Sequence, residues 1–132
     1  MIQPHELFPG AILEYNIGTE TEPDWQPTTI DGVDIQWIDG DAEDFNKSHR
    51  PIPLTEQILV EWCGFEKMFS SAIHTLCELT IDKNTSFYFY NWHKEDRQYL
   101  SYKGLQIEVL TLHHLQMLVQ SLTNQPLKIT LP

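Results

Sequence analysis

Residues 86–92 read Ser86-Phe87-Tyr88-Phe89-Tyr90-Asn91-Trp92. Five aromatic side chains in seven positions make this a strand by composition. Period-two alternation divides it, with Phe87 and Phe89 on one face and Tyr88, Tyr90 and Trp92 on the other. On its N-terminal side Ile73, Thr75, Cys77, Leu79 and Ile81 recur at the same period, and Asp82-Lys83-Asn84 separates the two runs as a turn. On its C-terminal side His93–Arg97 is a charged turn and Tyr99 and Tyr102 follow. Lys103-Gly104 then turns into Leu105, Ile107 and Val109. The stretch from Lys67 to Leu110 is therefore expected to be a run of antiparallel hairpins.

Two short helices are expected to flank it, the first over about 55–63. In Leu54–Phe65, Thr55 is placed to cap the first amides and Glu56 complements the positive helix end. Leu54 and Leu59 stand at staple spacing, Gly64 suits a left-handed C′ position, and Phe65 would fold back on Val60. The second helix, about 111–123, opens at Thr111. It carries Leu112, Leu115, Leu118, Val119 and Leu122 as an apolar stripe and ends at Asn124 and Pro126. Leu127, Ile129 and Leu131 read as a terminal strand.

The N-terminal part reads as an acidic β-meander. Ala11, Leu13, Tyr15 and Ile17 alternate as a strand after the Pro9-Gly10 turn, and residues 18–27 are loop-like. Thr28-Thr29-Ile30 opens a second strand, Asp31-Gly32 is a hairpin dipeptide, and Val33, Ile35 and Trp37 alternate after it. Asp39–Pro53 is polar and aperiodic, the longest expected loop. The resulting class is α+β: a mainly antiparallel sheet or partly open barrel with two short helices, in one domain over residues 1–132. Within it, 1–50 form the acidic meander and loop, and 51–132 form the helices, hairpins and terminal strand.

Charge is divided unevenly along this plan. The 132 residues have a formal net charge of −11. Residues 1–61 hold thirteen acids and two bases, whereas 62–132 balance. From Glu20 to Asp44 there are nine acids and no base. Such a field disfavours nucleic acid and anionic membrane, and speeds encounter with a basic protein surface. No apolar run nears the ~20 residues of a membrane-spanning helix. The N-terminal MIQPHELFPG lacks the basic and apolar stretches of a signal peptide. Cys63 and Cys77 are too few for a disulfide framework, so free thiols and a cytoplasmic location are expected.

Pro51–Phe65 (PIPLTEQILVEWCGF) and Ile107–Leu127 (IEVLTLHHLQMLVQSLTNQPL) resemble the paired signatures of an uncharacterised family common in Bacteroidetes genomes, their phages and mobile elements. The matching positions are Ile52, Pro53, Leu54, Thr55, Glu56, Gly64 and Phe65, then His113 or His114, Leu115, Gln116, Leu118, Leu122, Thr123 and Leu127. The family's opening is matched by Leu7-Phe8-Pro9-Gly10-Ala11. Gln57, Met117 and Asn124 depart from its usual Glu, Asn and Gly. The resemblance implies a microbial or phage setting and no particular chemistry.

Candidate chemistry is sparse in the sequence. Asp39, Asp41, Glu43 and Asp44 offer hard oxygens, but the Gly and Glu spacing of a calcium loop is missing. Cys63, His74 and Cys77 lack zinc-site spacing. There is no nucleophile elbow, P-loop or dinucleotide fingerprint. No catalytic residue, metal or cofactor is expected. The sequence points to a non-enzymatic protein-interaction module with a basic protein, or a second copy of the chain, as partner. Its expected surface is Asp31, Asp34, Trp37, Asp39, Asp41, Glu43, Asp44 and Phe45. Two alternatives stand beside this. One is an acidic decoy that mimics nucleic acid. The other is an aromatic face of Tyr88, Tyr90, Trp92 and Arg97, which could stack single-stranded nucleic acid or anchor a protein.

Overall fold

The computed structural model describes residues 1–95 and 97–132. It is α+β, with two antiparallel sheets of three and five strands, neither closed into a barrel. The chain divides into two compact units. The first is Met1–Pro53 with Thr111–Pro126, and the second is Leu54–Leu110 with Leu127–Pro132. The helix near the C-terminus thus belongs with the N-terminal unit.

In the first unit β1 (Ile12–Asn16) is central, flanked by antiparallel β2 (Trp25–Thr29) and β3 (His49–Arg50). β2 starts earlier than the sequence suggests. It tolerates Pro27 because it is an edge strand, where a missing donor leaves no ladder bond unmade. The expected strand over Val33–Trp37 is instead helix α1 (Gly32–Gly40), and the middle of the expected 39–53 loop is α2 (Ala42–Ser48). The physical reason is capping. Asp31 accepts from the N–H groups of Val33 and Asp34, and Asp34 accepts from the N–H of Asp31 at 3.1 Å. Asp41 likewise accepts from Asp44 N–H at 3.1 Å. Each Asp-x-x-Asp therefore satisfies helix-end donors that a hairpin would not present. Ile38 and Phe45 join Ile2, Leu7, Ala11, Leu13 and Ile30 in the core.

Helix α3 (Leu112–Thr123) ends on Asn124 at φ 57°, as its sequence predicts. Thr111 takes the N-cap position without a side-chain bond. The buried face is Leu112, His113, Leu115, Gln116 and Val119, while Leu118 and Leu122 are half-buried. The stripe is thus rotated toward two polar residues. Gln116 explains the rotation: its Oε1 accepts from Ile12 N–H and its Nε2 donates to the Gly10 carbonyl, both at 2.9 Å.

The second unit is a meander in the order β4 (Glu66–Ser70), β5 (His74–Asp82), β6 (Thr85–Trp92), β7 (Arg97–Tyr102) and β8 (Leu105–Glu108). Lys103 and Gly104 both have positive φ, as a two-residue hairpin turn requires. The turn expected at His93–Arg97 includes Asp96, which lies outside the described residues. Cys77, Phe87, Phe89, Leu100 and Tyr102 are buried on one face, with Phe87 and Tyr102 stacked at 4.6 Å. The helix expected over about 55–63 is a π-helix over Ile58–Trp62, with the Cys63 N–H donating to the Ile58 carbonyl at 3.2 Å. Thr55 Oγ1 accepts from Ile58 N–H, and Gly64 takes φ 77°. The Phe65 N–H reaches Leu59 O at 3.0 Å, one residue wider than a Schellman closure, and Val60 is left 38% exposed. The expected strand over Leu127–Leu131 pairs with no strand among the described residues. Between Pro126 and Pro132, Thr130 N–H makes one bond to the Trp62 carbonyl.

Candidate interaction face

Antiparallel register in the five-stranded sheet decides which side chains share its second face. His74 lies opposite Trp92, Leu76 opposite Tyr90, and Glu78 opposite Tyr88. Tyr90 lies opposite Tyr99, and Phe69 opposite Leu76. The rings form one connected row across four strands. Phe69 meets His74 at 5.1 Å and His74 stacks on Trp92 at 4.7 Å. The Trp92 indole N–H donates to the Tyr99 hydroxyl at 3.0 Å, and Tyr99 stacks on Tyr90 at 5.1 Å. Contacts of this kind fix rings that already hold little rotamer entropy, which suits a preorganised docking surface. Phe69 is 49% and Tyr88 37% exposed, and Met68 and Ile73 stand exposed nearby.

The electrostatics of this face are acidic. Glu66, Glu78 and Glu108 share it with one base, Arg97, whose guanidinium is 3.7 Å from Glu95. Hydrogen bonding to Glu78 raises the Tyr88 phenol above its ordinary value, so it remains a neutral donor. The sequence singled out Tyr88, Tyr90, Trp92 and Arg97 here. It missed Phe69, His74 and Tyr99, which only strand register brings beside them.

The acidic segment is built differently from expectation. Asp31 and Asp41 are helix caps, and hydrogen bonding to backbone holds the Asp31 carboxyl below its ordinary value. Asp44 accepts from the Trp37 indole N–H at 2.9 Å. Trp37 is half-buried, edge-on to Phe45 at 5.4 Å and to His49 at 5.3 Å. Phe45 is fully buried and stacks on His49 at 3.8 Å, so it cannot anchor a partner. Asp34 is half-buried; Asp39 and Glu43 face solvent.

Both thiols are free and buried. Burial pushes Cys63 up to about 12 and Cys77 upward as well, the opposite of an activated nucleophile. The cavity beside Cys77 holds about 10 Å³, one water at most. Burial lowers His49 and His113 toward the neutral form, and His113 Nδ1 has no partner. Among the described residues, no three His, Cys, Asp or Glu side chains cluster as metal ligands. None of the described helices is long and apolar enough to cross a membrane. No family model, curated protein or solved structure matches this chain.

Proposed function

We propose that the chain is a non-enzymatic protein-interaction module of a bacterial genome, phage or mobile element, working in the cytoplasm, and that its docking surface is the open aromatic face of the second sheet. One observation carries the reading: the connected row Phe69, His74, Trp92, Tyr99 and Tyr90 is preorganised yet half-open to solvent. Aromatic anchors of this kind dominate protein interfaces. The acids on the face and the −11 charge of the chain favour a basic protein partner and oppose phosphate. The 31–44 segment keeps a steering part in this reading, with Asp39 and Glu43 as long-range charge and no anchor. The test is affinity capture from a bacterial lysate with wild type and a Phe69→Ser/Tyr88→Ser double variant of unchanged Tm. Basic proteins retained by wild type and lost by the variant support the reading. Micromolar binding of single-stranded DNA or RNA that weakens steeply with salt overturns it.

A further inference from the structure

The outer edge of β4 borders both the aromatic face and a separate groove. All five residues of β4 are exposed, and among the described residues no strand pairs with its outer side. On the sheet face that carries Cys77, Lys67 of β4 forms one wall of an open groove of about 360 Å³. Glu56, Gln57, Val60 and Glu61 line the rest. The groove is acidic on balance. Glu56 already pairs with Lys67 at 2.9 Å, and the Glu61 carboxylate accepts from the Gln57 amide at 3.1 Å. On the other face, Phe69 and Glu66 bring the aromatic row to the same edge.

The geometry points to strand addition: an extended segment of a partner protein, with alternating basic and apolar residues, pairs with the outer edge of β4. The inference rests on the docking reading above and names its partner chemistry. A strand added there alternates its side chains between the two faces. Every second one, if basic, meets Glu61 and Glu56, and those between lie beside Phe69. Two features disfavour a second copy of this chain as the occupant. The ladder shifts register between Lys67 and Phe69, a bulge of the kind that breaks up long edge-to-edge pairing. A copy would also bring a charge of −11 against the same sign.

The probe is a fluorescein-labelled eight-residue peptide of alternating lysine and valine, measured by anisotropy against the full chain. A second peptide has the same sequence and charge, with alternate backbone amides N-methylated. We expect micromolar binding of the first and at least tenfold weaker binding of the second, because strand addition needs those donors. Amide exchange should slow about tenfold or more within β4 on binding. Glu61→Lys, at an exposed position on the groove side that the basic residues of the added strand face, should weaken binding about tenfold at low salt. Equal affinity for the two peptides overturns the inference, as does binding without slower β4 exchange. No binding at millimolar peptide also overturns it, and so does a concentration-dependent dimer that protects β4 without peptide. In each of these cases, loss of lysate partners on Phe69→Ser/Tyr88→Ser still supports the aromatic docking face, so the two ideas fail separately.

Discussion

Gln116 occupies a buried helix position and uses its amide as a short stretch of main chain would, giving a donor to Gly10 and an acceptor to Ile12. Replacing it with Leu keeps the volume and strands one N–H and one C=O. Each buried unsatisfied group costs roughly 1–3 kcal/mol. Gln116→Leu should therefore lower stability by about 2–4 kcal/mol, read from the urea midpoint; a loss under about 0.5 kcal/mol would show that the clamp is dispensable. His113, on the same face, behaves oppositely. Burial holds it below the ordinary histidine value of about 6.5, so the unfolded chain takes up its proton first as pH falls. Its contribution is nil above that value. Below it, stability falls by up to about 1.4 kcal/mol per pH unit, until the folded state also protonates. In His113→Leu, denaturant midpoints between pH 7 and 5 should fall less than in wild type, with the remaining slope left to His49, which is lowered too. An unchanged pH slope would remove His113 from the account.

At the scale of elements, the β-hairpins, α3 and its Asn124 stop, and the Gly64 turn were legible because each rests on a local pattern. Those patterns were period-two aromatics, a helical stripe, and residues that tolerate positive φ. The helices α1 and α2 were not, because Val33, Ile35 and Trp37 satisfy strand alternation while Ile35 and Ile38 also satisfy helix spacing. What separates the two readings is the repeated Asp-x-x-Asp, in which the first Asp caps a helix each time. The aromatic row was half legible: its β6 members came from alternation, while Phe69, His74 and Tyr99 depend on register, which no single segment encodes. The capping account has its own test. Asp31→Ala and Asp41→Ala should each cost about 0.5–2 kcal/mol, whereas Asp39→Asn, at an exposed position that caps nothing, should be near neutral. If all three variants have the same midpoint, charge and not capping governs the segment.

For the whole molecule, chain connectivity by itself couples the two units. The main segment of the second unit, Leu54–Leu110, is inserted in the first, and the ends of this insertion are held side by side. Pro53 bridges Thr111, the Leu112 N–H reaches the Ile52 carbonyl at 2.9 Å, and the Leu54 N–H reaches the Leu110 carbonyl at 3.0 Å. With the second unit unfolded, the first must close a disordered loop of about 60 residues, which costs about 2 kcal/mol more than closing a tight turn. A folded insertion removes that penalty, and the coupling must be reciprocal because it belongs to a thermodynamic cycle. Each unit should therefore stabilise the other by about 2 kcal/mol. Phe87→Ala/Leu100→Ala removes two fully buried side chains from the second unit, and Ile38→Asp buries a charge in the first. Amide exchange in the unit left folded should report a loss of about 2 kcal/mol in both directions. No loss in either direction would mean that the ends are not effectively joined. Loss of all protection in both units would mean that they fold as one cooperative body, with far more than chain closure between them.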